Sequence, residues 1–193
     1  MNTESNKPSV YDTMAGILAH MNGPQEKKNI AGHLAAIRNS IGKGYENTAE
    51  VWPIIFPLMP AEYLGNGAMT YEEKALLVTL QLYAIGQQGS NKTQGDRSRN
   101  FGSSLRNIRG IESAALDRRF NTMLTATTFE EFAYHLRQIF KLAKSKNTFS
   151  VNFPALAEDL FWYQKDKDKM VCLRWAREYY RPSLKKDTVS SDE

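Results

Sequence analysis

The chain has 193 residues, of which 41% are hydrophobic and 24% charged, and its formal net charge is +4. This length and balance fit one folded domain and exclude a disordered chain, and no apolar run approaches the roughly 20 residues of a membrane-spanning helix. The single cysteine excludes an internal disulfide framework, and no secretory signal precedes the first predicted helix, so we expect a cytoplasmic protein with no membrane partner.

The hydrophobic periodicity at the start of the chain is helical. It predicts a first helix over residues 9–21 and a second over residues 24–41, with a proline in the first turn of the second. Asn47 or Thr48 is expected to cap a short helix that runs through Trp52. The apolar residues of this short helix predict that it is largely buried.

A central helix is predicted over residues 71–87. Thr70 followed by Glu73 is a capping-box pattern, and the helix that it opens is apolar on most faces, as expected for a helix surrounded by others. The next segment, residues 86–100, is rich in Gly, Ser, Asn and Gln. It predicts a long polar loop, and loops of this length are commonly functional or disordered.

Five helices are predicted after this loop, over residues 101–109, 112–126, 129–144, 155–164 and 169–180. Thr128 with Glu131 repeats the capping-box pattern at the third of them. Residues 148–153 alternate like a strand, but an isolated strand makes no sheet. The sequence therefore predicts an all-α fold, a single-domain multi-helix bundle of about eight to nine helices.

This bundle is expected to cover residues 1–184. An N-terminal sub-bundle over about residues 9–85 and a basic C-terminal sub-bundle over about residues 101–181 are predicted on either side of the 86–100 loop. Residues 185–193 are predicted to form a polar tail.

Positive charge is concentrated in residues 97–146. This segment holds ten Lys or Arg and four Asp or Glu, a formal charge of +6 that exceeds the net charge of the whole chain. A folded domain that gathers its basic residues in one region is often built to bind a polyanion, so the charge favours nucleic acid as a partner.

Helical projection places several of these residues on shared faces. Arg137, Lys141 and Lys144 follow one another at i, i+4 and i+7, outside the predicted core stripe of their helix, and Arg174 and Arg177 share a face of the last helix. The remaining members of the predicted basic surface are Arg106, Arg109, Arg118 and Arg119, with Arg97 and Arg99 in the loop before residue 101. Such ladders suit phosphate contacts, although solvated basic faces are also common on helical proteins.

No pattern in the sequence predicts a reactive centre. The histidines His20, His33 and His135 are widely spaced, so no metal site and no cofactor are expected. The paired acids, including Glu158 with Asp159, are expected in helical first turns or on exposed faces. The sequence therefore predicts a binding protein rather than an enzyme.

Five sequence segments, spread over about residues 10–181, resemble one known family. In chain order they are LAAIRNSIG, FGSSLRNIRGIESAALDRRFNTMLTA, HLRQIFKLAKS, FPALAEDLFWYQ and LRWAREYYR. The most specific parts are the FG-x-S-L-R helix entry, LDRRFNTMLTA and RWAREYYR. Their order and spacing resemble the small subunit (CasB) of type I-E Cascade, a CRISPR RNA-guided surveillance complex.

The resemblance implies an all-helical protein without enzymatic activity, present in two copies that lie head to tail in the complex. It implies contacts with the crRNA–target DNA heteroduplex, the displaced DNA strand, and the backbone and large subunits of Cascade. Carried onto this sequence, it implies nucleic-acid contacts at Arg38, Arg106, Arg118, Arg119 and Arg137, with auxiliary contacts at Lys141, Lys144, Arg174 and Arg177. The 86–100 loop is longer than in short members of the family, so the resemblance assigns it no role.

The favoured prediction is a non-catalytic subunit that stabilises the R-loop, in which base pairing reads the sequence and protein holds the backbone. A stand-alone helical DNA-binding regulator and a pure helical scaffold remain open. The regulator would need a recognition helix shortly after another helix, and the 86–100 loop interrupts that arrangement. The scaffold would use the same arginines at protein interfaces.

Overall fold

The computed structural model describes residues 7–44, 47–87, 99–110, 113–146 and 149–182. Within these ranges the chain forms nine α-helical segments and no strand, which confirms the predicted all-α bundle. The segments are α1 (Val10–Met21), α2 (Ile30–Asn39), α3 (Trp52–Ile55), α4 (Tyr71–Gly86), α5 (Phe101–Arg106), α6 (Ala114–Leu124), α7 (Phe129–Ala143), α8 (Phe153–Trp162) and α9 (Asp168–Tyr179). None of these helices combines the length and apolarity that crossing a bilayer requires. The predicted tail and most of the 86–100 loop lie outside the described residues.

The central helix of the bundle is α4. Residues 75–85 are all buried, and α4 packs against α1, α2, α7 and α8. Its first turn is a complete capping box, as predicted: the Thr70 hydroxyl accepts a bond from the backbone N–H of Glu73, and the Glu73 carboxylate accepts one from the N–H of Thr70. Satisfied backbone donors at this end allow a nearly apolar helix to begin without burying unpaired polar groups.

The two halves of the chain share one hydrophobic core. α8 packs against both α1 and α4, and α7 packs against α4 and α6. The ring of Phe153 at the start of α8 meets Tyr83 of α4 edge to face, with 5.3 Å between the ring centroids. The two predicted sub-bundles are therefore in contact through both α7 and α8.

The predicted start of the second helix is wrong. Residues Pro24–Glu26 form a separate 3₁₀ turn, and α2 begins only at Ile30. Residues 27–29 are polar and exposed, so no packing supports a longer helix there. The short third helix also differs, because it begins at Trp52 with Pro53 in its first turn and not near Thr48.

Two boundaries in the C-terminal half are corrected as well. α5 ends at Arg106, three residues before the predicted end. α8 begins at Phe153, because the Asn152 side chain caps it by accepting a bond from the Ala155 N–H, and the proline lies inside the first turn. After α8, the chain makes a π-type turn over Tyr163–Lys167 that the sequence did not predict.

Candidate nucleic-acid interface

Helix α6 carries two exposed arginines. Its buried residues are Leu116, Phe120 and Met123, and they leave Arg118 and Arg119 in solvent. Among the residues that the structure describes, neither guanidinium group makes a hydrogen bond or an ion pair. Both are therefore available to an external anion.

The predicted core stripe of α7 is confirmed, but the basic residues of this helix differ in their exposure to solvent. The buried stripe comprises Phe132, Leu136, Ile139, Phe140 and Ala143. Lys141 is exposed, and Lys144 is half-buried. Because α7 packs against α6, Lys141 lies on the helix next to that of Arg118 and Arg119. We call these three residues the α6–α7 basic group.

Arg137, the first residue of the predicted α7 ladder, is half-buried and bound by a side chain of α4. Its Nε and Nη2 atoms donate to Oε1 of Gln81 at 3.1 and 2.6 Å. Gln81 is buried in α4 and donates in turn to the Ser40 hydroxyl at 2.9 Å. Arg137 therefore satisfies a buried amide and ties α7 to α4 and to the end of α2.

Arg109 is held in a second cluster. Its Nε and Nη2 atoms donate to the two oxygens of Asp117 at 3.0 and 3.1 Å, and its guanidinium lies 5.3 and 5.2 Å from the ring centroids of Tyr179 and Tyr180. The hydroxyls of Ser113 and Tyr179 also donate to Asp117. The bonds from Arg109 come first among the causes that lower the pKa of Asp117. This cluster links the residues that follow α5 to α6 and α9.

Arg174 lies beside a buried acid. The expectation that Asp159 is exposed is wrong, because α8 is covered on more than one side by α1, α4 and α9. The indole Nε1 of Trp175 donates to Asp159 at 2.6 Å, and Nη2 of Arg174 donates to its other oxygen. Burial nevertheless raises the pKa of Asp159 to about 6.

Arg38 and Arg106 contact backbone carbonyls. Nη1 of Arg38 donates to the carbonyl of Ala84 at 3.2 Å, near the C-terminal end of α4, where a cation is favourable. Nη2 of Arg106 reaches the carbonyl of Pro182 at 3.5 Å. Both side chains are half-buried, so they present less of their charge to solvent than Arg118 or Arg119.

The remaining predicted residues are dispersed. Arg97 lies outside the described residues. Arg99 is exposed immediately before α5, where Asn100 caps the helix by accepting a bond from the Ser103 N–H. Arg177 is exposed on α9. The structure thus identifies basic residues that are bound by other side chains of the protein, such as Arg109 and Arg137, a distinction that helical projection did not supply.

Both the sequence and the fold of the chain are similar to those of known proteins. A profile of the CRISPR-associated protein Cse2 family matches residues 33–180. The fold is similar to that of CasB from Thermobifida fusca, with a TM-score of 0.63 and 22% sequence identity, covering 88% of this chain and 94% of that one. It is also similar to a chain of a CRISPR RNA-guided surveillance complex, with a TM-score of 0.69 and 16% identity, covering 89% and 94%. No curated protein sequence matched.

Proposed function

The chain belongs to the CRISPR-associated Cse2 family, and we propose that it is the small, non-catalytic subunit of a type I-E Cascade complex in the cytoplasm. In this role it binds the sugar-phosphate backbone of the crRNA–target DNA heteroduplex and of the displaced DNA strand. Its protein partners are the backbone and large subunits and a second copy of itself. The similar fold of a chain from a surveillance complex supports this proposal.

The observation that carries the nucleic-acid part of the proposal is the exposed pair Arg118 and Arg119. Neither side chain has a partner among the described residues, whereas Arg109 and Arg137 are bound by side chains of the protein itself. A guanidinium group suits bidentate contact with phosphate better than an ammonium group does. We therefore assign the primary backbone contact to this pair and an auxiliary contact to Lys141.

A small number of such contacts is enough for the proposed role. In RNA-guided recognition, base pairing reads the target sequence, and the protein needs only to hold the backbone and the displaced strand. The exchange of a DNA duplex for a heteroduplex is nearly balanced in free energy, so modest phosphate contacts shift it. Contacts of this kind release counterions and weaken steeply as salt rises.

The paired substitution Arg118→Gln with Arg119→Gln tests the assignment. We expect the isolated protein to bind single-stranded DNA weakly and without sequence preference, and the double variant to reduce the slope of log K against log salt by about 1 to 2. The slope is measured by fluorescence anisotropy of a labelled oligonucleotide between roughly 50 and 200 mM salt. The matched control is Lys27→Gln with Lys28→Gln, which removes the same charge from an exposed turn before α2.

The assembled complex provides the second measurement. With the double variant in place, the complex should still assemble, as judged by size-exclusion chromatography, but its R-loop should dissociate faster. If the arginine variant and the lysine control lose equal affinity, net charge rather than this surface explains binding. If the arginine variant matches wild type in both assays, the scaffold alternative is favoured.

A further inference from the structure

A cleft with a volume of about 400 Å³ opens beside α9 and the end of α8. Its principal lining residues are Trp162, Lys167, Met170, Leu173, Arg174 and Arg177. Three large apolar side chains are exposed here, Met170 at 67%, Leu173 at 50% and Trp162 at 37%. They line one cleft, and exposed apolar side chains that gather in one place commonly mark an interaction site. We call this feature the α9 cleft.

The spacing of the lining residues indicates what shape of partner fits. Met170, Leu173 and Arg177 follow one another at i, i+3 and i+7 along one stripe of α9. The buried residues of α9, such as Val171 and Trp175, lie on a different stripe and hold the helix to the bundle. The exposed stripe is about 10 Å long at the usual rise of an α-helix, which matches two turns of a second helix packed along it.

The chemistry of the lining favours protein over single-stranded nucleic acid. Bases stack on open aromatic planes, but the ammonium group of Lys167 lies 4.1 Å from the ring centroid of Trp162, and Phe161 packs against the same indole. Met170 and Leu173 are flexible aliphatic groups that offer no plane. Aromatic, methionine and arginine side chains around a desolvated centre are typical of protein–protein interfaces.

Charge at the cleft indicates the polar residues of the partner. Lys167, Arg174 and Arg177 contribute cations, and no acidic side chain lines the cleft in the part of the chain that the structure describes. Arg174 is bound to Asp159, whereas Arg177 makes no ion pair among the described residues. The complementary surface therefore carries Asp or Glu beside its apolar side chains.

We infer that the α9 cleft docks an amphipathic helix of another protein, with two or three apolar side chains against Met170, Leu173 and Trp162, and with acidic side chains beside Arg177. This assigns Arg177 to a protein partner and not to the nucleic-acid surface. The inference goes beyond the proposed binding of nucleic acid and does not depend on it, because the cleft and the α6–α7 basic group lie on different helices.

The test uses the full chain and two synthetic helical peptides of about 15 residues, a length of roughly four helical turns. Both carry Leu at i, i+3 and i+7; one has Glu at the flanking positions and the other has Lys. We expect the Glu peptide to bind at least about tenfold more tightly in fluorescence anisotropy, and Leu173→Asp to weaken its binding by about tenfold or more. Leu142→Asp, on an exposed α7 leucine outside the cleft, is the matched control and should leave binding unchanged.

A charge reversal separates this proposal from simple misfolding. Arg177→Glu should weaken binding of the Glu peptide and strengthen binding of the Lys peptide, which an unfolded variant would not do. Failure of wild type to bind the Glu peptide, or equal binding of the two peptides, would overturn the proposal. A single-stranded oligonucleotide provides a competing ligand. If it displaces the Glu peptide from wild type and no longer binds Leu173→Asp, the proposal is overturned and the cleft is a nucleic-acid site.

Discussion

At the scale of single residues, basic side chains on the same predicted face of a helix can differ in what they contact. Arg137 and Lys141 belong to the same predicted ladder, yet Arg137 is bound to Gln81 while Lys141 is exposed. Helical projection predicts which side chains leave the core stripe of their own helix. It does not predict what a neighbouring helix offers, and Gln81 lies 56 positions away in the sequence. The available signal was an amide side chain in the largely apolar part of α4, since a buried amide needs a hydrogen-bond partner.

Asp159 could be recognised by the same kind of signal. Apart from Glu158 and Asp159, the residues of α8 are apolar, and the burial of Asp159 requires the bonds from Trp175 and Arg174. Those bonds favour the ionised form, but burial is the larger effect and raises the pKa of Asp159 to about 6. The folded chain therefore binds this proton more tightly than the unfolded chain, in which the ordinary pKa is near 3.8.

The pH dependence of stability follows from this shift. Between about pH 4 and pH 6, the Asp159 contribution falls as pH rises, because the buried group must ionise. Asp159→Asn removes that cost. From pH 4 to pH 7, the difference in free energy of unfolding between the variant and wild type should therefore shift by on the order of 3 kcal/mol in favour of the variant. Urea denaturation at both pH values measures it, with the exposed Glu62→Gln as control. An equal difference between wild type and Asp159→Asn at both pH values would mean that the bonds to Asp159 offset the effect of burial on its pKa.

At the scale of helices, caps and periodicity predicted most of the elements. α4 and α7 were predicted with their caps because Thr70 and Thr128 precede strongly patterned segments. The π-type turn over Tyr163–Lys167 was not predicted. Its Asp166 adopts φ +57°, a left-handed conformation that is uncommon for a residue with a side chain but that Asp tolerates better than most. The only signal was this aspartate, without a neighbouring Gly or Pro.

Helix packing explains why a glycine follows Phe101. A Cβ atom added to Gly102 would lie 2.0 Å from the carbonyl oxygen of Trp175, so α5 and α9 approach each other too closely for any side chain at this position. The motif that contributed to the family resemblance thus has a packing reason. The sequence contains this glycine as part of the motif but does not identify the helix that packs against it.

Gly102→Ala should lower the free energy of unfolding by about 3 kcal/mol, because backbone atoms of α9 cannot move aside as a flexible side chain could. The control is Gly32→Ala on α2, where nothing lies within 4 Å of the added methyl group. That change should raise stability by up to about 1 kcal/mol through helix propensity. Urea denaturation measures both, and a stable Gly102→Ala protein would contradict the close approach of α5 and α9.

At the scale of the molecule, the class of fold was predictable but the pairing of helices was not. Periodicity identifies an apolar stripe without identifying its partner, so the contact of α8 with α1 could not be read from either segment. The polar loop predicts two sub-bundles within one domain, and the buried residues form one cluster that includes both halves. Whether this shared core unfolds as one unit is open to measurement.

We expect Leu160→Ala, in the buried centre of α8, to lower the free energy of unfolding by about 2 to 5 kcal/mol in a single transition. Circular dichroism and tryptophan fluorescence should give the same urea midpoint, since both halves lose their shared contacts together. Leu142→Ala, the same change at an exposed site, should have little effect. Separate midpoints for the two probes would show that the sub-bundles unfold independently.

The packing of α1 against α8 also sets when the protein can fold during its synthesis. α1 is complete at residue 21, but its partner is complete only at residue 162. At translation speeds of about 5 to 20 residues per second, the apolar side of α1 waits on the order of ten seconds for α8 to leave the ribosome. Throughout that interval the nascent chain exposes the part of α1 that α8 covers in the finished fold, so aggregation competes with folding until the last third of the chain has been made.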